Sequence, residues 1–200
     1  RPVISFADNT SEEFDKVIVT LPSSISAKLC TGLLPQEIQK LNDVEYLGAI
    51  CVAVMLDKSI SQFYVTNITD SRFPFTGVIE MSALVDKEYL GGNALVYLPK
   101  YVDSNDQLFN QSDDEIKSYF ISNFKAMYPW LTDSNIKFAG VARAKHVITV
   151  AKLGYSESLQ NVKTSLPGVY IVNTSHILDG TLNVNETVRV AATKLEEILK

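Results

Sequence analysis

Four apolar segments in the middle of the chain alternate with short polar segments typical of turns. The apolar segments are GAICVAVML, QFYVTNI, GVIEMSA and ALVYLPKY, and the turns fall at residues 57–59, 70–74 and 91–93. β-Branched and aromatic residues bounded by Gly, Pro, Asp and Asn are typical of strands. Because no long crossover segment separates them, the pattern predicts antiparallel pairing. Residues 137–150 predict one further long strand, with a bend at Gly140.

The segment after these strands has helical periodicity. Ser112 and Glu115 have the three-residue spacing of a capping box. Apolar side chains then recur at helical spacing, at Ile116, Phe120, Phe124 and Met127. The pattern predicts a helix from about residue 112 to 128 whose apolar side covers one face of the sheet.

Each end of the chain contains a short run that is apolar on both faces. VIVTL ends at Pro22, and VYIV follows the turn at residues 166–168. Strands that are buried on both faces need neighbours, so we expect these two runs to meet. A polar segment, ADNTSEEFD, joins residues 3–6 to residues 16–21, and this pattern predicts a hairpin between those two short segments.

Helix signals accompany both terminal runs. Ser23 or Ser24 can cap a helix that carries Ile25, Leu29 and Leu33. Pro35 suits the first turn of the next helix. At the other end, Asn183 and Glu186 form a capping pattern. It precedes a helix with its apolar side at Val188, Ala191, Ala192, Leu195, Ile198 and Leu199.

Composition excludes several classes of function. The net charge of −5, without a Lys/Arg cluster, argues against nucleic acid as a partner. No apolar run approaches the roughly 20 residues of a membrane span. The surroundings of Cys30 and Cys51 predict buried thiols, and no Cys or His spacing indicates a metal site. We expect a cytoplasmic protein with a small-molecule substrate.

The candidate chemistry is sparse. G-x-S-x-G, G-x-x-x-x-G-K-[ST] and G-x-G-x-x-G are all absent from the sequence. His146 lies in an apolar strand-like segment, which favours a structural role. His176 lies in a loop before a helix, where a structural role and a ligand contact are both open.

Glu80 interrupts the otherwise apolar segment GVIEMSA. A buried carboxylate needs a cationic or hydrogen-bonding partner, and Arg72 or Arg143 could supply it. The pattern leaves open a structural ion pair or a substrate-binding role. Tyr97 is a further candidate substrate contact, on the strand ALVYLPKY.

The order of these segments resembles FAD-dependent amine oxidases, in the branch related to protoporphyrinogen oxidase. FDKVIVTLP resembles the strand that returns the family's chain to its cofactor domain. The stretch that begins YLGAICVAVML and later contains GGNALVYLPKY is similar to its substrate domain. PGVYIVNTSHILDGTLNVNETVRVAATKLEEI is similar to its closing strand, loop and helix. The resemblance extends over nearly the whole chain and depends on the order of the segments.

The resemblance implies an α+β fold: a mostly antiparallel sheet with helices packed on it, and a small lobe formed by the N- and C-terminal segments. Residues 1–34 and 165–200 would be a remnant of the FAD-binding domain, and residues 35–164 the substrate-binding domain. The activity implied is hydride transfer from a substrate C–H bond to FAD. The implied cofactor contacts are Thr20, Pro22, Asn173, Thr181, Leu182 and Asn183.

Two departures from the family pattern limit what the resemblance implies. The dinucleotide fingerprint that holds the pyrophosphate is absent, so the chain alone is not expected to hold FAD. The chain starts RPVISFADN, and we interpret it as a fragment whose N-terminal FAD-binding segment is missing. The closing strand ends in Asn173-Thr174 where the family often has Gly-Asp. No residue stands out as a catalytic base.

Two other functions remain open from the sequence. One is a non-catalytic α+β module that binds a small ligand on the same sheet. The other is a flavin-dependent isomerase similar to the sugar mutases, which share the general architecture.

Overall fold

The computed structural model describes residues 1–199, and these form two compact units. The first unit comprises residues 1–46 and the residues from 148 onward, and the second comprises residues 47–147. In chain order the strands are β1 (Val3–Ser5), β2 (Ser11–Glu13), β3 (Val17–Val19), β4 (Tyr46–Leu56), β5 (Val65–Asn67), β6 (Gly77–Glu80), β7 (Ala94–Asp103), β8 (Ile136–Thr149) and β9 (Val169–Ile171). The helices are α1 (Ser23–Leu29), α2 (Pro35–Asn42), α3 (Asp113–Met127), α4 (Tyr155–Ser158) and α5 (Val184–Leu199).

The second unit contains the five-stranded sheet that the sequence predicts. Its strands lie in the order β5-β6-β7-β4-β8, and the pairings β5–β6, β6–β7 and β7–β4 are antiparallel. Alternate residues of β4 are buried, among them Ile50 and Val52. The same face receives Phe120 and Phe124 of α3, which lie against Phe75. The mostly antiparallel sheet with a helix on one face is therefore confirmed.

The predicted capping box of α3 is also confirmed. The Ser112 backbone N–H donates to Glu115 Oε2 at 2.8 Å, and the Glu115 N–H donates to Ser112 Oγ at 3.3 Å. Three acidic residues in the first turn add favourable charge at the positive end of the helix dipole. These contacts fix where the helix begins, so its apolar stripe meets the sheet in one register.

The first unit has three layers around a small parallel sheet. β3 pairs with β9 in parallel, with Ile18 opposite Tyr170. One face packs on α1 and α2 through a cluster that includes Leu33 and Leu41, and the other packs on α5 through Val190 and Ile198. The two terminal runs therefore meet, as the sequence predicts.

The predicted hairpin between residues 3–6 and 16–21 is wrong. β1 pairs with β2 instead, in the register of Val3 with Glu13, and β3 leaves this hairpin to join β9. The physical reason is burial. Val17 and Val19 pack with Leu33 and Leu41 when β3 lies beside β9, whereas every residue of β2 is exposed.

Two helix predictions are also corrected. In α1 the apolar residues Ile25 and Leu29 are exposed, while Ser23 and Ser26 are buried, and no side chain caps the helix. In α5 only Ile198 of the predicted apolar side is buried, together with Val190, which the prediction did not include. Both helices therefore expose apolar side chains that the sequence pattern would place in a core.

The first unit extends beyond residues 1–34 and 165–200. α2 joins it because Leu41 belongs to the core against β3 and β9, and residues 148–164 join it partly through hydrogen bonds. Glu37 accepts hydrogen bonds from the Ser165 N–H at 2.7 Å and from Gln160 Nε2 at 3.2 Å. The identity of this unit as part of a cofactor domain remains a prediction.

Candidate functional site

The carboxyl ends of β3 and β9 carry a cluster of neutral polar side chains. Asn173 follows β9, and its Nδ2 donates to the carbonyl of Leu21, after β3, at 2.7 Å. Its Oδ1 accepts from the N–H of Ser175 at 2.9 Å and from the hydroxyl of the same residue at 2.6 Å. The Asn173 side chain therefore joins the two strand ends.

Ser23 lies in the interior of this cluster and is 1% exposed. Its N–H donates to the hydroxyl of Tyr46 at 3.1 Å, and its hydroxyl lies 3.3 Å from that of Ser175. The carbonyl of Ser175 accepts from the Tyr155 hydroxyl at 2.9 Å. Sequence reasoning missed these serines and tyrosines, because no local pattern marks a hydrogen bond between segments so far apart.

His176 is buried just after the cluster, at 8% exposure. Its Nδ1 lies 3.3 Å from the N–H of Asn173, and its Nε2 is buried without a well-formed hydrogen bond. Burial lowers the pKa of His176, and the backbone of Asn173 and Gln160 only partly offsets this effect. The imidazole is therefore neutral at pH 7, and its surroundings favour a structural role.

Two of the predicted cofactor residues line one small cavity. Thr20 and Asn173 face α5 across a space of about 160 Å³, with Thr187 on the helix side. Pro22 lies next to them as the residue before α1. The structure thus brings together the residues predicted at the two strand ends.

The other three predicted cofactor residues precede α5. The Glu186 N–H donates to Asn183 Oδ1 at 2.9 Å, which confirms the predicted cap. Asn183 Nδ2 also donates to the carbonyl of Thr181 at 3.0 Å. Leu182 and Asn183 line a second space, of about 320 Å³. Thr187 borders both spaces, so they adjoin the same turn of α5.

The four substrate-site candidates of the second unit do not converge. Glu80 lies opposite Val96 in the β6–β7 register, whereas Tyr97 lies opposite Ile79, so the two side chains project from opposite faces of the sheet. Arg72 lies in an exposed loop, where Nη2 binds Asp70 at 2.5 Å. Arg143 Nη2 donates to the carbonyl of Gln111 at 2.8 Å, and the guanidinium also pairs with Asp113.

Neither arginine is the partner of Glu80, which corrects the sequence expectation. Glu80 is 1% exposed, accepts from the Ile60 N–H at 2.9 Å and is hydrogen-bonded by the Ser82 hydroxyl. Burial raises the pKa of Tyr128, and the nearby charge of Glu80 raises it further. The carboxylate is thus stabilised by neutral donors from adjacent segments.

The second face of the sheet is apolar and half-buried. Ala53 lies opposite Tyr97, and Cys51 lies opposite Pro99. Burial raises the pKa of the Cys51 thiol, so it is a weak nucleophile at neutral pH. Cys30 is buried and Cys51 is partly buried, and neither forms a disulfide. This face combines apolar side chains with two aromatic hydroxyls, because Tyr101 lies opposite Ala49 on the same side as Tyr97.

Residues 1–199 contain neither a metal-binding group of side chains nor a membrane-spanning helix. No group of three His, Cys, Asp or Glu side chains among them could hold a metal ion. None of the helices in this range is long and apolar enough to cross a bilayer.

Comparison with solved structures shows the fold. A proposed protoporphyrinogen oxidase from Exiguobacterium sp. 255-15 superimposes with a TM-score of 0.75 at 15% identity, over 96% of this chain and 42% of its own. An oxidoreductase from Methanosarcina mazei gives 0.70 at 18% identity, over 95% of this chain and 44% of its own. A reduced UDP-galactopyranose mutase gives 0.64 at 11% identity, over 84% and 37%. The chain therefore spans less than half the length of these structures.

Sequence comparison identifies the family. No curated protein sequence matches the chain. The family model for flavin containing amine oxidoreductases matches residues 2–176, which include most of the first unit and the whole of the second. The chain therefore belongs to the flavin-containing amine oxidoreductase family.

Proposed function

We propose that this chain supplies the substrate-binding sheet and the last cofactor contacts of an FAD-dependent oxidoreductase. The observation that carries the proposal is the family match over residues 2–176, which extends across both units. In the proposed reaction a hydride passes from a substrate C–H bond to the flavin. The flavin supplies the redox chemistry when bound, and the protein orients the substrate beside it.

The first unit supplies the cofactor contacts in this proposal. Ligands of α/β folds bind at the carboxyl ends of parallel strands, which is where Thr20 and Asn173 lie. The N-terminus of α5 adds free backbone N–H groups after Asn183. The cluster contains hydroxyl and amide groups and no ionised side chain, which suits the neutral polar groups of a flavin better than its diphosphate.

The second unit supplies the substrate surface in this proposal. Tyr97 lies on the half-buried apolar face, opposite Ala53 on one neighbouring strand and Ile79 on the other. Arg72 is exposed at 84% of its side chain and could meet an anionic substituent. The intrachain contacts of Glu80 and Arg143 favour structural roles over direct substrate binding.

FAD titration tests the proposal. The chain is titrated with FAD by calorimetry and flavin fluorescence, beside the polypeptide encoded by the same reading frame extended upstream of Arg1. The 200-residue chain should bind weakly, because a helix N-terminus contributes about 0.3–1 kcal/mol. Micromolar affinity needs about 8 kcal/mol. The extended polypeptide should purify yellow.

Two results would overturn it. Stoichiometric FAD on the 200-residue chain would show that its own residues hold the diphosphate. A colourless extended polypeptide would remove the flavin function, and the chain would then be a non-catalytic module that binds a small ligand on its sheet.

A second candidate is a flavin-dependent sugar isomerase. It is favoured by the TM-score of 0.64 with the reduced UDP-galactopyranose mutase. The two functions differ in electron balance, since an oxidase substrate reduces the flavin stoichiometrically and an isomerase substrate leaves its redox state unchanged. Anaerobic spectra of the yellow extended polypeptide, mixed with amine, porphyrinogen and nucleotide-sugar compounds, separate them.

A further inference from the structure

The loop between His176 and α5 contains a pair of residues that can rearrange spontaneously. Asp179 is followed by Gly180, and it is the only Asp of the chain that a Gly follows. In such a pair the backbone nitrogen of the Gly can attack the side-chain carboxyl group of the Asp and close a five-membered ring. Gly favours this attack because it has no β-carbon to hinder its nitrogen.

The backbone nitrogen of Gly180 is not held by the fold. Residues 178–182 lie between the secondary-structure elements, and Asp179 and Gly180 are both exposed. Within residues 1–199, the backbone N–H groups of residues 178–182 donate no hydrogen bond. A hydrogen-bonded N–H must first be released by local opening before its nitrogen can attack. The Gly180 nitrogen is therefore available in the folded chain.

The carboxyl group of Asp179 also has no close partner. Within residues 1–199 it forms neither a hydrogen bond nor an ion pair, and its charge acts only at longer range on Arg189. The guanidinium of Arg189 binds Glu186 Oε2 instead, through Nε at 2.8 Å and Nη2 at 2.6 Å. The Asp179 carboxyl group can therefore turn toward Gly180 and take up the proton that it needs to release water.

Asp70 shows the opposite arrangement in another loop. It precedes Ser71, which is also a small residue. Its carboxylate accepts hydrogen bonds from the Arg72 backbone N–H at 3.0 Å and from Arg72 Nε at 2.9 Å. The hydrogen bonds from Arg72 lower the pKa of Asp70 to about 2, so its carboxylate stays ionised and oriented toward Arg72. Asp70 is therefore an internal reference for Asp179.

The loop leads directly into the first turn of α5. The Asn183 carbonyl accepts from the Thr187 N–H at 3.0 Å, and Asn183 Oδ1 accepts from the Glu186 N–H at 2.9 Å. The Glu186 side chain also lies against Gly180, where an added Cβ would be 3.1 Å from it. A change in the backbone at Asp179 therefore acts on this turn through the Gly180–Glu186 contact and through the short link to Asn183.

We propose that Asp179 isomerises spontaneously to isoaspartate and that this modification loosens the first turn of α5. In the first step the Gly180 nitrogen loses its proton and forms a bond to the side-chain carbonyl carbon of Asp179. The C–OH bond of that carboxyl group breaks, so one water molecule leaves.

In the second step water opens the ring. Attack at the backbone carbonyl gives isoaspartate, in which the main chain runs through the side-chain carbon and gains one methylene group. Attack at the other carbonyl restores Asp. Neither step needs an oxidant or a cofactor, so the inference is independent of the proposed function.

Ageing of the purified 200-residue chain at neutral pH and physiological temperature tests the modification. Isoaspartate is measured as methyl transfer from S-adenosylmethionine by an isoaspartyl methyltransferase, and peptide mapping locates it. The label should accumulate at Asp179 and not at Asp70. Asp179→Glu should lose the label, because Glu would have to close a less favourable six-membered ring. Asp179→Asn should raise it several-fold, because the neutral amide needs no protonation before ammonia leaves.

A synthetic peptide of residues 176–183 shows whether the fold permits the reaction. If the loop is unrestrained, the folded chain should form isoaspartate about as fast as the peptide. A rate more than about tenfold lower in the folded chain would mean that the loop is held in place, and would overturn the proposal.

Hydrogen exchange measures the effect on α5. Once isoaspartate has formed, the Thr187 amide should exchange faster than in the fresh chain, because its bond to the Asn183 carbonyl lies in the first turn. The Asp179→Glu variant aged in parallel should show no change. Equal Thr187 exchange in the modified and the fresh chain, or isoaspartate spread evenly over the Asp residues, would overturn the proposal.

Discussion

Replacement of Asn173 by Asp tests the polar cluster at the strand ends. The new side chain keeps an acceptor at the position of Oδ1 for Ser175, and it replaces the Nδ2 donor by an oxygen that cannot donate when ionised. The 2.7 Å hydrogen bond to the Leu21 carbonyl is lost, and a carboxylate oxygen faces that carbonyl. The loss of this hydrogen bond costs about 1 kcal/mol, because the Ser26 hydroxyl still donates to the Leu21 carbonyl at 2.9 Å, and the repulsion between the carboxylate and the carbonyl adds to that cost.

Native-state hydrogen exchange is the suitable assay, because it reports local opening in a protein of two units. The amide of Val172, which joins β9 to β3, should exchange at least about fivefold faster in Asn173→Asp than in the wild type. Asn110→Asp, an exposed position in the other unit, is the matched control and should leave this rate unchanged.

The pH dependence of this variant has a definite sign. The carbonyl of Leu21 disfavours the ionised form, so the folded-state pKa of the new carboxyl should rise above its unfolded value. The destabilisation of Asn173→Asp is then present above the folded-state pKa of the new carboxyl. It disappears below the unfolded-state pKa, where the protonated acid can donate a hydrogen bond again. An exchange rate equal to that of the wild type at neutral pH, or a difference that grows on acidification, would refute the reasoning.

Three further substitutions test other contacts. Burial raises the pKa of Glu37, but its hydrogen bonds, led by the one from Ser165, have the larger effect, and the pKa is lowered overall. The free energy of unfolding should therefore fall as the pH drops below about 4.5. Glu37→Gln should make thermal melts less dependent on pH in this range. Gly48→Ala would place a Cβ 2.9 Å from the carbonyl of Ala144 and should cost about 1–3 kcal/mol in urea unfolding. Ser112→Ala removes the α3 cap and should cost about 1 kcal/mol in the same assay.

Each of these has a control of the same chemistry. Glu12→Gln alters an exposed carboxylate of β2, and an equal flattening there would contradict the role of Glu37. Gly77→Ala adds a methyl group at an ordinary distance of 3.5 Å from a carbonyl in the same sheet, so it should be tolerated. Ser118→Ala changes an exposed position within α3, and a cost equal to that of Ser112→Ala would argue against capping.

Local periodicity predicts the second unit well and the first unit only in part. Apolar residues recur at every second position in β4 and at every third or fourth position in α3, so the buried faces of both elements can be identified from the sequence. The buried face of α1 cannot be identified in this way, because Ser23 is buried among hydrogen bonds to residues far along the chain and Ser26 donates to the Leu21 carbonyl. Ser23 contacts Ser175, 152 positions away, and Glu37 binds Ser165, 128 positions away.

The candidate site shows the same limit. The order of segments indicates that Thr20 and Asn173 lie at strand ends, and the structure places them around one cavity. The partners of Glu80 are not predictable in this way. A cation is the expected partner of a buried carboxylate, but here the donors are an amide and a hydroxyl within 20 positions. Which donor reaches the group depends on loop geometry that the pattern does not contain.

The discontinuity of the first unit has a consequence for the order of folding. Its strands β3 and β9 can pair only after residues 47–147 have been made, and joining the ends of a flexible loop of about 100 residues costs about 4 kcal/mol in chain entropy. The sheet of the second unit offsets this cost, because β4 and β8 are neighbours in it. The Val150 N–H donates to the Glu45 carbonyl at 2.9 Å, directly where both chain segments leave that sheet. Folding of residues 47–147 thus brings the two parts of the first unit close together. Mutations that slow the folding of this segment should therefore also delay the pairing of β3 with β9.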